Sequence, residues 1–72
     1  MNNYTVLFKY NGKEYSHHFL CDAIFKSTTD AFILREQAEI AAKEYIEVNN
    51  LRMKGQIIEE LHLYGDEGNL LF

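Results

Sequence analysis

The chain contains no proline, no tryptophan and a single cysteine, Cys21. One thiol cannot close an internal disulfide, so this is not a disulfide-stapled secreted mini-protein. Its longest apolar run is four residues, 31–34, far short of the roughly 20 needed for a membrane-spanning helix. Met1 is followed by Asn2, Asn3 and Tyr4, with neither a basic head nor an apolar stretch, so no secretory leader is expected. Basic residues are scarce, seven against eleven acids, for a net charge of −4. A generic DNA or RNA coat needs a basic footprint, and this chain lacks one. These absences lead to the expectation of a cytoplasmic chain without a membrane partner.

What is present suits a folded domain. The 72 residues are 47% apolar and 14% aromatic, and with no linker, repeat or low-complexity stretch they read as one α+β domain over 1–72. A domain of this size buries only about 60% of the surface its unfolded chain exposes, so its core is thin. The four glycines, Gly12, Gly55, Gly65 and Gly68, sit between apolar runs, where turns belong.

Asn11-Gly12 is flanked by two alternating segments, 4–10 and 13–21. Asn-Gly suits a type I′ turn, in which both central residues need positive φ. A two-residue loop places Tyr10 opposite Lys13, Lys9 opposite Glu14, Phe8 opposite Tyr15 and Tyr4 opposite Phe19. Opposite charges then meet, aromatics meet aromatics, and a one-residue slip would undo every pair. Tyr4, Val6, Phe8, Tyr15, His17, Phe19 and Cys21 form the core face of this hairpin. Thr5, Leu7, Lys9, Glu14, Ser16, His18 and Leu20 form the other. Segment 22–27 reads equally as a strand extension or a loop.

Ser27, Thr28, Thr29 and Asp30 can accept the free N–H groups of a first helical turn and mark a helix start. The helix is expected over 30–49, with Leu34, Ala38, Ala41, Tyr45 and Val48 along its inner stripe and Ala42 and Ile46 widening it. Arg35, Glu36, Glu39, Lys43, Glu44 and Glu47 lie outside, with Glu39 and Lys43 at the favourable acid-first spacing. Segment 57–64 alternates like a strand. Ile57, Leu61 and Leu63 are placed inward and Ile58, Glu60, His62 and Tyr64 outward, with Glu59 a discord on the core side. A turn at 65–68 leads to a last strand, 69–72, which pairs Leu63 with Leu70. The expected fold is ββαββ, one helix on a four-stranded antiparallel sheet of order 2-1-3-4.

No set of reactive groups converges. Zinc needs three or four ligands about one point. His17 and His18 point to opposite faces of a strand, and His17 and Cys21 are separated by roughly 13 Å at strand rise. Glu59 and His62 have the spacing used by di-iron sites on helices, but a strand turns them apart. Cys21 has no evident base to activate it. There is no phosphate-binding glycine loop and no nucleophile elbow. No cofactor, metal or catalytic residue is therefore expected.

Two surfaces remain. Between 30 and 47 there are five acids and two bases, either an ordinary solvated helix face or a mimic of phosphate. The open sheet face is expected to show Leu7, Leu20, Ile58, Tyr64 and Leu71 with His18 and His62, more apolar area than a monomer usually leaves in water. The last strand, with Leu70, Leu71 and Phe72, carries no charge or proline to block pairing with another strand.

The hairpin at Asn11-Gly12, the acidic helix from Asp30 and the strand pair around Gly65 and Gly68 together resemble the small inhibitors that phages encode against bacterial defences, anti-CRISPR proteins among them. That resemblance implies a non-enzymatic module acting in the host cytoplasm. It would block a host nuclease or recognition complex sterically or by charge mimicry. The expected partner is then a protein, itself one that handles nucleic acid. No motif carries functional residues over from that resemblance; the chain's own surfaces offer Glu36, Glu39, Glu44 and Glu47 as partner-binding residues, with Leu7, Ile58 and Tyr64 as apolar anchors. Two alternatives stand beside it. The open sheet face could stack single-stranded nucleic acid on Tyr64, His18 and His62, against which the weak basic complement of Lys9, Arg52 and Lys54 counts. The chain could also form a structural homodimer through Leu70, Leu71 and Phe72.

Overall fold

The computed structural model describes all residues, Met1–Phe72. Strands β1 (Asn2–Tyr10) and β2 (Lys13–Cys21) are followed by helix α1 (Thr28–Val48) and strand β3 (Ile58–Tyr64). The sheet is antiparallel, in the order β2-β1-β3. Asn11 (φ 51°) and Gly12 (φ 77°) both take the left-handed conformation that the two-residue turn demands. The register follows, with Tyr10 opposite Lys13, Lys9 opposite Glu14, Phe8 opposite Tyr15 and Tyr4 opposite Phe19.

Because β1 is the central strand, its inward side chains are the best buried of the sheet. Tyr4, Val6, Phe8 and Tyr10 pack with Leu63 of β3 and with Leu34, Ala38, Ala41, Ala42 and Ile46 of α1. The alanines let the helix backbone come close to the strands. Tyr15, Phe19 and Cys21 of β2 are half-buried around this cluster. Phe8 stacks on Tyr15 at 5.6 Å, and Tyr45 meets Phe8 edge-on at 5.9 Å. Ser27 caps the helix by accepting the Asp30 N–H, and the Asp30 carboxylate accepts from the Ser27 hydroxyl and the Lys26 N–H. At the other end the Asn49 side chain donates to the Tyr45 carbonyl.

Three expectations are corrected. The sheet has three strands, not four. A fourth strand is reduced to one bridge, Tyr64 to Leu70. The Leu63 carbonyl accepts from Leu71 and the Leu63 N–H donates to Phe72, so two residues of the last segment face one of β3. That bulge ends the ladder. Phe72 turns under the helix, its ring 5.6 Å from the Arg35 guanidinium and 6.4 Å from Phe25. The turn is also one residue longer than expected, with the Gly65 N–H donating to Asn69, so Leu71 turns to the core side.

The second correction is in β3. The β1–β3 register slips between Lys9 and Tyr10, with Lys9 opposite Glu60 and Tyr10 opposite Ile58. Glu59 is the extra residue, and its carboxylate accepts the Gly12 N–H at 3.2 Å. The bulge explains the discordant acid: it lets Ile58 take the core side, where it is half-buried, and leaves Ile57 75% exposed. Ile58 is therefore no open-face anchor. The third is Val48, which was expected on the inner stripe and is 72% exposed. Segment 22–27 is a loop, whose Ala23 carbonyl accepts the Tyr4 hydroxyl.

The Tyr4 phenol is held above the usual 10.0 by burial first, then by the charges of Cys21 and Asp30. The folded state disfavours the phenolate, so this group's contribution is intact below pH 10 and is lost as pH rises above it. Stability should fall from about pH 10 upward, and Tyr4→Phe should flatten that part of the profile, read by urea unfolding at a series of pH values. Leu34→Ala, at a fully buried site, should cost about 3 kcal/mol. Val48→Ala should stay within about 0.5 kcal/mol in the same assay.

Candidate functional site

The histidines and the cysteine do not come together. His17 is half-buried on the helix side, its ring 5.3 Å from that of Tyr45. His18 is on the open face, its Nδ1 2.7 Å from the Thr5 hydroxyl. His62 is on the same face but across β1, opposite Leu7. Cys21 packs against the core. No three His, Cys, Asp or Glu side chains are grouped so that they could hold a metal ion.

The open sheet face is built in rows. Glu14, Lys9 and Glu60 form one, Ser16, Leu7 and His62 the next, and His18, Thr5 and Tyr64 the third. Its cation, Lys9, thus stands between two carboxylates. Leu7 and Tyr64 are each half-buried among polar neighbours. Leu20 is exposed at the far end of β2, and Leu70 is exposed beyond Tyr64. The alternation of the strands places polar side chains over most of this face, so it is less apolar than the sequence suggests.

Helix α1 gives a different surface. All four acids proposed from the sequence, Glu36, Glu39, Glu44 and Glu47, are exposed. Two of them are engaged within the fold. Glu39 lies 4.0 Å from Arg35, one turn away, and Glu47 accepts from Arg52 at 2.9 Å. The expected pairing of Glu39 with Lys43 is replaced by the first of these. Glu36 and Glu44 have no ion-pair partner. Alternating with them along the helix are two residues that the sequence reading missed, Ile33 and Ile40, 43% and 49% exposed. They are seven residues apart, two helical turns or about 10 Å along one face. Phe32, beside them, is 71% exposed. A helical wheel laid opposite Leu34, Ala38 and Ala41 would have found the pair. Isoleucine is no better a helix former than the polar residues it displaces, so local structure does not call for it there.

Between α1 and β3 lies an open groove of about 1120 Å³. Ile46, Ile58, Leu61 and Tyr10 contribute apolar lining. Arg35, Lys43, Arg52 and Lys54 are matched around it by Glu39, Glu47, Glu59 and Glu60. Equal numbers of each sign give the groove no preference for an ion of either charge. Its far wall is the segment after α1, held by Tyr10, whose buried hydroxyl accepts the Met53 N–H at 2.9 Å and faces the Met53 carbonyl at 3.4 Å. No helix in the chain is long and apolar enough to cross a membrane.

Comparison of the chain with protein-family models, with curated proteins and with solved structures returned no match. Function is therefore read from these surfaces.

Tyr10→Phe removes the anchor of the groove wall while keeping the ring in the core. It should cost about 1–2 kcal/mol through the N–H left without its acceptor. It should also speed amide exchange at Met53 ahead of the strands, measured by hydrogen–deuterium exchange.

Proposed function

We propose that this chain is a non-enzymatic protein-binding module that lays the outer face of α1 against a larger protein. The observation that carries this reading is the stripe of Ile33, Glu36, Ile40 and Glu44 on the side of the helix away from the sheet. Two branched apolar side chains left in water alternate with two carboxylates that have no partner within the fold. Burying the exposed half of each isoleucine at an interface is worth about 1 kcal/mol. Free carboxylates beside them suit a target whose surface is basic at its rim and apolar between.

A nucleic-acid-handling protein carries the basic part of such a surface. The resemblance to phage-encoded inhibitors supplies a setting for the interaction: a cytoplasmic block of a host defence nuclease, with Glu36 and Glu44 meeting cations that would otherwise hold phosphates. Glu39 and Glu47 contribute less to such mimicry, being drawn to Arg35 and Arg52. Leu7 and Tyr64, half-buried, are secondary to the isoleucines as anchors. The alternative of single strands stacked on the open sheet face is disfavoured by the position of Lys9 between Glu14 and Glu60.

The test is affinity capture from bacterial lysate with nuclease added, comparing four forms of the chain. The unmodified chain should retain a discrete protein partner. Ile40→Asp and the double variant Glu36→Lys with Glu44→Lys should each lose it by at least about tenfold, or 1.4 kcal/mol. His62→Ala, on the open face, should retain it. Equal retention by all four would overturn the assignment to the helix. Capture that disappears with nuclease would transfer the function to nucleic acid.

A further inference from the structure

Strand β2 is an outer edge of the sheet along its whole length, with nothing beyond it. Tyr10 and Lys13 close a two-residue turn, so their backbones hydrogen bond each other, as do those at every second position along the hairpin. Tyr15, His17 and Phe19 therefore point their N–H and C=O groups at β1. Glu14, Ser16, His18 and Leu20 point theirs outward. The opposite edge of the sheet is partly closed, since Leu63 of β3 is bonded to Leu71 and Phe72. Proteins blunt such edges with proline, bulges or lysine. In β2 there is no proline and no bulge, and past Glu14 no acidic or lysine side chain.

We propose that the β2 edge pairs with the β2 edge of a second copy of this chain, antiparallel about a two-fold axis at Ser16, joining two sheets into one. This interface is independent of the helix stripe described above and would leave it free. The occupant is indicated by the strand's own chemistry. A two-fold axis places residues symmetrically about its centre. Centred on Ser16, Glu14 of each copy stands opposite His18 of the other on the open face, and Tyr15 stands opposite His17 on the helix side. The two other long registers are poorer. Centred on His17, Glu14 meets Leu20 and the two His17 rings meet each other. Centred on His18, two His18 rings meet and Glu14 has no partner within the strand.

Two further features fit. Thr5 holds Nδ1 of His18 at 2.7 Å; with the hydroxyl donating, Nε2 carries the proton and can donate to the facing carboxylate. Val48, 72% exposed, lies one turn beyond Tyr45, whose ring packs on Tyr15 and His17. It is thus on the flank of α1 nearest the proposed seam, where a second copy would take it out of water.

The full chain should sediment at twice its 8.5 kDa mass at high concentration and dissociate on dilution. Ser16→Pro removes an outward N–H that the hairpin does not use, a place where an edge strand tolerates proline. It should raise the dissociation constant by at least about tenfold, with the circular dichroism spectrum unchanged. Glu14→Lys should weaken the dimer, and adding His18→Glu to that variant should restore it. This arm tests the register even if Ser16→Pro does not fold. In a mixed labelled and unlabelled sample, filtered NMR should show an Hα–Hα contact between Tyr15 of one copy and His17 of the other. A monomer at every concentration, a dimer that folded Ser16→Pro leaves unchanged, no rescue by the charge exchange, or inter-copy contacts from β3 or the last segment would each overturn the proposal.

Discussion

The two-residue turn at Asn11-Gly12 sets the register of β2 on β1, and so decides which side chains of the two strands share a face. Both residues must hold positive φ, and the pair that occupies the turn does so at low cost. With that register, Tyr15, His17 and Phe19 of β2 join Tyr4, Val6, Phe8 and Tyr10 of β1 on one face. That face is the core. It meets the small side chains Ala38, Ala41 and Ala42 of α1, so the helix can settle close enough to bury Leu34 and Ile46 as well. In a domain this thin, a slip of one residue would set Glu14, Ser16 and His18 beside this face in place of Tyr15, His17 and Phe19. The remaining structure follows from keeping that face covered.

The bulge in β3 is one consequence. A strictly alternating β3 would carry Glu59 inward against Tyr10. Skipping Glu59 leaves Ile58 beside Tyr10 and sends the carboxylate to the Gly12 N–H at the hairpin tip. The same device tightens the turn on which the fold depends. The aromatic turn of Phe72 toward Arg35 and Phe25 is another consequence: it closes the end of the core at the expense of a fourth strand.

Two surfaces are left uncovered by this arrangement, and they differ in kind. The outer face of α1 offers side chains, two isoleucines among unpaired carboxylates. The edge of β2 offers backbone, a row of donors and acceptors with few guards. The first suits a partner of complementary shape and charge. The second suits an added strand. Because the two lie on different parts of the molecule, a pair of chains joined through β2 would present two helix stripes at once.

The hairpin, its register, the helix and the place of β3 beside β1 were legible in the sequence, because each rests on local chemistry: a turn dipeptide, a capping serine, a period of two or of 3.6. The exposure of the four helix acids was legible for the same reason. Ile58, Val48 and the last segment were misplaced. Alternation places a residue on a face only while the pairing is unbroken, and a bulge is set by what the neighbouring strand presents, here Tyr10 against Ile58. An inner stripe is buried only where there is sheet beneath it, and Val48 falls outside that cover. Tertiary packing alone decided that the Phe72 ring turns to Arg35 and Phe25 while the last segment stops short of a fourth strand; the outward position of Ile33 and Ile40 was recorded in the helical period and went unread. The placing of Phe72 depends on how much area a three-stranded sheet can cover, which no local pattern along the chain records.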